Sequence, residues 1–238
     1  MSGSGDPIYL GDSGAFDEPK EIFKRLIELI DEEPREGPRS LLDVGCAAGA
    51  FLAHAARALD LDPMRTVGLD PGPRLLAEAA GRLPDFEFVQ GSIDDPRVLE
   101  GRQFDVITVM GVMSLLDDLQ PALANILRLL QPGGIALVFD TVNDEPVDVL
   151  VRHRRADDPS AEWESSFNVR SRHTYETALA RADPSATVDF IPFRMSFAIP
   201  KSDDPLRAWT IETAADPHQL VVGTRQLLTS SIVRVRRA

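Results

Sequence analysis

The sequence predicts an α/β fold built on a doubly wound, mostly parallel sheet. Three observations carry that expectation. Short apolar runs (LLDV, TVGLD, FDVITVM and IALVFD) recur from residue 41 to residue 140. They are continuous rather than alternating, as strands covered on both faces are. Segments with apolar residues at helical spacing separate them, so each strand is followed by a crossover helix, and right-handed crossovers wind helices onto both faces. The chain has 238 residues, 43 % of them apolar, which suffices for one large domain with a buried core.

Taken in order, residues 1–18 are rich in Gly, Ser and Asp and read as a loose arm. Ile22, Phe23, Leu26, Ile27, Leu29 and Ile30 form an apolar stripe that predicts a helix over Glu18–Asp31, ended by Pro34, Gly37 and Pro38. Ser40–Val44 is the first strand and runs into a glycine turn, and Ala50–Leu59 is an Ala- and Leu-rich helix. Thr66–Asp70 is a strand, Pro73–Leu83 a helix, Phe86–Val89 a strand and Phe104–Met110 a strand with a β-branched middle. Leu123, Ile126, Leu127 and Leu130 predict a helix over Leu119–Leu130; Pro132-Gly133-Gly134 reads as a turn before a strand at Ile135–Asp140. Beyond it, Thr141–Val169 is polar and irregular, Ser171–Arg181 a helix, Thr187–Phe193 an alternating strand, and Gln226–Arg236 closes with a strand, SIVRV. This gives an N-terminal arm and helix at 1–36 and a main domain at 37–238, with a lid-like insertion at about 194–226.

Composition narrows the function. A formal net charge of −13 argues against nucleic acid, whose phosphates need a surplus of cations. The single cysteine, Cys46, excludes an internal disulfide framework and a cysteine-cluster metal site. No basic-then-apolar leader opens the sequence and no run is long enough to span a membrane, so a cytoplasmic protein is expected. No histidine pair has metal-ligand spacing, and no bound metal is expected.

The residues that carry chemistry begin with the turn Asp43-Val44-Gly45-Cys46-Ala47-Ala48-Gly49. Gly45 and Gly49 permit positive φ and close approach of a ligand, and the helix that follows offers free N–H groups. Asp70 ends the second strand about 20 residues past the turn, where an acid can accept both ribose hydroxyls. Asp94, after the third strand, stands where an adenine amine would be received, and Met110-Gly111-Val112 follows the fourth. Simpler roles compete. Asp43 can cap the turn, Cys46 can be a small core residue, and Asp94 can be an N-cap or a loop acid. A dinucleotide-dependent oxidoreductase would show G-x-G-x-x-G, whereas this turn reads Gly45-x-x-x-Gly49.

Together LLDVGCAAGAF, VGLDPGP, VQGSIDD, FDVITVMGVMSLLDD and LQPGGIALV, in this order from about Ser40 to Asp140, resemble the class I S-adenosylmethionine-dependent methyltransferases. The resemblance implies a Rossmann-like seven-stranded sheet with an antiparallel C-terminal strand, here SIVRV. It implies that Asp43, Gly45, Cys46, Ala47 and Gly49 line the methionine moiety of the cofactor. Asp70 would hold the ribose with Pro71 beside the adenine; Ser92, Ile93 and Asp94 would surround that ring, and Met110, Gly111 and Val112 would close over the sulfur. The chain departs from the family at Ala47, where glycine is usual.

Methyl transfer needs a general base only if the acceptor holds a proton. Candidates are Asp140 at the fifth strand's end, His153 in His153-Arg154-Arg155, and His173 at a helix start, with Arg170 and Arg172 as grips for an acceptor carboxylate or phosphate. Against these, His153 can belong to a solvated face and His173 can be an ordinary first-turn residue behind a cap at Ser171. Trp163, Phe167 and Trp209 can wall an acceptor pocket or fill core. No Asn/Asp-Pro-Pro-Tyr sequence follows the fourth strand, which leaves a small molecule, methylated at oxygen or nitrogen, as the expected acceptor, in a biosynthetic setting. The implied partners are that acceptor, an anionic one if the arginines grip it, and a second copy of the chain in a homodimer; nucleic acid and membrane are not among them. Two further readings remain: a catalytically silent cofactor-binding subunit, and a non-methylating enzyme of the same fold.

Overall fold

Leu41–Val44 (β1) is buried at every position. It lies between two parallel neighbours, Thr66–Asp70 (β2) and Phe104–Met110 (β4), in register Leu41↔Thr66 and Leu41↔Val106. The computed structural model describes residues 14–34, 37, 39–59 and 61–238. Outward from this centre, β2 pairs with Glu87–Gln90 (β3), and β4 pairs with Leu130–Asn143 (β5). Ser230–Arg236 (β13) runs antiparallel between β5 and Thr187–Pro192 (β9), giving the order β3-β2-β1-β4-β5-β13-β9. The mostly parallel sheet and its antiparallel C-terminal strand are as the sequence led us to expect.

Helices cover both faces because each strand offers apolar side chains in both directions. On one side Leu42, Val44, Ile107, Val109, Ala136, Val138, Val233 and Val235 pack with helices Gln120–Leu129 (α5) and Arg172–Ala182 (α6). On the other, Leu41, Val106, Ile135, Leu137 and Ile232 pack with Glu21–Asp31 (α2) and Ala50–Leu59 (α3), and with Leu76 of Pro73–Arg82 (α4). This second face carries a row across the sheet, Phe88–Gly68–Asp43–Thr108–Leu137, fixed by strand register. Gly68 is required there: a Cβ on it would stand 2.6 Å from Phe88 Cδ1 and 2.8 Å from Cys46 Sγ.

The structure departs from the sequence reading in four places. The first thirteen residues of the expected arm lie outside the described residues, but Gly14–Asp17 forms a helical turn (α1) with Ala15 buried. His54 Nε2 of α3 lies 2.8 Å from the Ala15 carbonyl oxygen, which holds the turn against the domain. β5 continues through Pro132-Gly133-Gly134, read as a turn, because a bulge against β4 between Phe104 and Val106 absorbs it. An eighth, two-residue strand, Arg170–Ser171 (β8), adds parallel to the end of β5. Segments expected to be irregular hold paired strands: Arg152–His153 (β6) with Glu164–Ser165 (β7), and a three-stranded sheet of Trp209–Ile211 (β10), Gln219–Val221 (β11) and Leu227–Leu228 (β12). These strands have two or three residues each, too few for a periodic signal.

Gly68→Ala is expected to destabilise the protein by about 1–3 kcal/mol in urea unfolding, as overpacking does. Combining it with Phe88→Leu should recover part of that loss, since the two residues share one contact; strictly additive effects would show that the space around Gly68 is not the constraint.

Candidate cofactor site

The chain leaves β1 in a left-handed turn. Gly45, Ala47 and Gly49 have φ of 72°, 47° and 86°. Gly45 also needs its missing side chain, because a Cβ would lie 2.4 Å from Val112 Cγ2. The Gly45 and Cys46 N–H groups both donate to the Leu69 carbonyl, at 2.7 and 3.1 Å, tying the turn to β2. Ala47 occupies a conformation that costs an L-residue roughly 1–2 kcal/mol, which gives the physical reason glycine is usual there. Its N–H donates to Asp70 Oδ2 at 3.0 Å, and the Gly72 N–H donates to Asp70 Oδ1 at 2.8 Å. Asp70 therefore fastens two turns, one after β1 and one after β2.

Asp43 does not cap the turn. It is 1 % exposed, and Thr108, its cross-strand neighbour on β4, donates to Oδ1 at 2.8 Å. Oδ2 has no hydrogen-bond partner among the described residues. Burial pushes this carboxyl up to about 7, against the hydrogen bond from Thr108, and the nearby Asp70 charge adds to the rise. The bare oxygen is a place for a cation. Cys46 takes the simpler role: its sulfur packs towards Gly68 and Phe88 in the core, and burial raises its thiol far above the ordinary range. Only its backbone belongs to the turn.

The remaining predicted cofactor residues stand at the carboxyl ends of adjacent strands. Pro71 follows β2 and accepts a hydrogen bond from Gln90 Nε2 at 3.2 Å. Ile93 is buried, while Ser92 and Asp94 are half-buried, with the Ser92 hydroxyl donating to Asp94 Oδ1. After β4, Met110 and Val112 are half-buried and Gly111, at φ 67°, is exposed. Topology thus brings these thirteen residues onto one edge of the sheet.

The candidates for a base are not gathered in the same way. Asp140 is buried on β5; the Tyr175 hydroxyl donates to its Oδ2 at 2.5 Å and the Thr141 N–H to its Oδ1 at 2.8 Å. Burial raises its carboxyl to about 6, opposed by these two bonds. His153 shares a 2.6 Å hydrogen bond with the Ser166 hydroxyl and lies against Phe167. His173 is exposed on the first turn of α6, behind the Ser171 cap, and lines a groove with Gln120, Thr177 and Arg181. Arg170 corrects the sequence reading. It is 3 % exposed and its guanidinium holds the Leu116 and Asp117 carbonyls at 2.8 and 2.9 Å, so it braces the segment after β4 rather than gripping an acceptor. Arg172 pairs with Asp144 at 2.7 Å. Trp209 is buried, whereas Trp163 is exposed with Arg154 over its ring. No cluster of three or more metal-ligating side chains occurs among the described residues. Sequence reasoning missed Thr108, Tyr175 and Asn125, since each acts through a partner at least 30 positions away.

The raised Asp43 carboxyl has a stability consequence. The folded state favours its protonated form, so the penalty is absent below the ordinary carboxylate value near 4. It grows as pH rises and is complete above about 7. Asp43→Asn should therefore stabilise the ligand-free protein at about pH 8, by a few kcal/mol at most, with the gain vanishing at about pH 4. Denaturant melts across that range check it; a gain independent of pH would show that Asp43 is not the group responsible.

The methyltransferase-domain family matches residues 42–136, the span from β1 into β5. Trans-aconitate 2-methyltransferase of Escherichia fergusonii is 29% identical over 172 residues, covering 68% of this chain and 63% of that protein. The chain thus spans less than two-thirds of the length of that relative. The dTDP-3-amino-3,4,6-trideoxy-alpha-D-glucopyranose N,N-dimethyltransferase of Streptomyces venezuelae is 34% identical over 103 residues, 42% of this chain and 41% of that one. Among solved structures, an S-adenosylmethionine-dependent methyltransferase from Clostridium acetobutylicum superposes with a TM-score of 0.61 over 98% of this chain and 97% of that one; at 12% identity, it shows a shared fold. On these comparisons and the strand order, residues 42–136 match a methyltransferase domain, and the fold is shared with S-adenosylmethionine-dependent methyltransferases.

Proposed function

We propose that this protein binds S-adenosylmethionine along the edge formed by β1, β2, β3 and β4 and transfers its methyl group to a small-molecule acceptor, at oxygen or nitrogen, leaving S-adenosylhomocysteine. The observation that carries the reading is Asp43: a buried carboxylate with one oxygen bonded to Thr108 and the other bare, beside a turn in which a Cβ on Gly45 has no room. A methionine ammonium supplies the missing partner, and the glycine turn leaves space for the chain that carries it. Asp70 would hold the ribose, Asp94 the adenine amine, and Met110, Gly111 and Val112 the sulfur side.

The cofactor, when bound, supplies an already activated methyl group. The residues here then bind, orient and exclude water, so that acceptor, methyl carbon and sulfur lie in line. For an acceptor that holds a proton, the candidate is Asp140, which does not end β5 as expected, since that strand runs on to Asn143, but lies one residue past its last pairing with β4, with a carboxyl poised at about 6. His153 and His173 are the alternatives on the flanking segments. The named activities of the relatives, on trans-aconitate and on an amino sugar nucleotide, support a small acceptor. The 194–226 segment, with its small sheet, is our candidate lid over it, within a domain taken to run from 37 to 238. No helix among the described residues is long and apolar enough to cross a membrane; a cytoplasmic setting and a homodimer are further parts of the proposal.

Calorimetric titration with S-adenosylhomocysteine tests the cofactor site. Saturable binding is expected, and Asp70→Asn should weaken it by roughly 1.5–3 kcal/mol, the value of hydrogen bonds to an ionised group. Unchanged affinity would remove Asp70 from the site. Release of S-adenosylhomocysteine from S-adenosylmethionine in the presence of small carboxylates, amines or hydroxyl compounds tests the transfer. Tight cofactor binding without turnover on any of them would mark a silent subunit instead.

A further inference from the structure

The buried face of α5 contains a residue that its neighbours do not explain. Ala122, Leu123, Ile126, Leu127 and Leu129 are buried there, as an amphipathic helix requires, and so is Asn125, at 6 % exposure. An amide in such a place must find partners for every polar atom. It does so on the loop after β3. Its Nδ2 donates to the Ile93 carbonyl at 2.7 Å and to the Asp95 carbonyl at 2.9 Å, one on each side of Asp94. Its Oδ1 accepts from Arg128 Nε and Nη2 at 3.3 and 3.2 Å, and Arg128 Nη2 also holds the Val98 carbonyl at 2.8 Å. The guanidinium fixes which way the amide points, and the amide straddles residue 94.

Two more bonds complete the span. The Gly91 N–H donates to the Asp70 carbonyl at 3.1 Å, so the loop is tied at its start to the residue proposed for the ribose. The Ser92 hydroxyl donates to Asp94 Oδ1, while Asp94 Oδ2 has no partner among the described residues. The loop is therefore clamped at Gly91 and at Ile93 and Asp95, with one oxygen of a half-buried carboxylate left over at its centre.

We propose that Asn125 is a positioning residue for base recognition: through Ile93 and Asp95 it holds Asp94 where that carboxylate reads the amino group of the cofactor's adenine. This rests on the cofactor reading given above. Asn125 touches neither the cofactor nor the acceptor; it sets how well the site separates a base bearing an amino group at that position from one bearing a carbonyl.

The experiment compares S-adenosylhomocysteine with its analogue carrying oxygen in place of the adenine amino group, by calorimetry on the full chain. Wild type should prefer the amino compound by about 10- to 100-fold, the range for a hydrogen bond to a charged group. Asn125→Ala should reduce that preference to about threefold or less, with most of the change falling on the amino compound. Leu127→Ala, a core substitution on the same helix, should lower the melting temperature yet keep the preference. Asn125→Asp covers the case in which the alanine variant fails to fold, because a carboxylate of the same shape still pairs with Arg128 but no longer donates to the two carbonyls; it should lose the preference equally. A preference retained in either folded Asn125 variant, or absent from wild type, overturns the assignment of Asn125. Failure of wild type to bind S-adenosylhomocysteine at all would instead overturn the cofactor site.

Discussion

A carboxylate buried in the middle of a parallel sheet, with only one of its two oxygens hydrogen-bonded, is the constraint around which this protein is arranged. Asp43 sits on the central strand between Gly68 and Thr108, in a row otherwise filled by Phe88 and Leu137. Such a group opposes folding at neutral pH, since desolvation disfavours its charge. The sheet contributes one hydroxyl to offset that and leaves the second oxygen bare. A structure selected for stability alone would hold an apolar residue here. A cationic ligand at that oxygen would complete the site, and the energy withheld from folding would then appear in binding.

Around that point the edge of the sheet is braced by backbone bonds rather than by long side chains. Asp70 holds the turns after β1 and β2, the Leu69 carbonyl takes two N–H groups of the glycine turn, and Gly91 is tied to Asp70. The residues proposed for the methionine, ribose and base portions are thus connected through a few short links, which suits a site that must present fixed geometry. The segment after β4 is built differently. Asn168 and Arg170, just before α6, fasten it, and Asp117 is held there by Arg152 and Ser165. The residues proposed for the cofactor lie on the regular half of the chain, and the proposal leaves acceptor binding to the irregular half.

The same division decides what the amino-acid sequence discloses. The strands Thr66–Asp70 and Phe104–Met110 and the helix Ala50–Leu59 match their expected bounds residue for residue, because continuous apolar runs and a clear helical stripe leave little choice. The turn was legible from Gly45 and Gly49, and its geometry shows why glycine is usual where this chain has Ala47. What was not legible depends on register and on long-range partners. Thr108 faces Asp43 only once β1 and β4 are aligned, Asn125 reaches a loop some 30 positions away, and Arg170 points inward where its charge suggested an anion grip. The small strands β6, β7 and β10 to β12 have two or three residues each and pair with one another in separate sheets, so no local pattern announces them.

Proton release on ligand binding tests the central claim most directly. At about pH 6 the Asp43 carboxyl, poised at about 7, is mostly protonated in the free protein. An ammonium placed against its bare oxygen favours the ionised form. Titration of S-adenosylhomocysteine calorimetrically in buffers of differing ionisation enthalpy should reveal a proton released on binding to wild type and none released by Asp43→Asn. Binding whose heat is the same in every buffer, or whose proton release survives in the variant, would contradict the account.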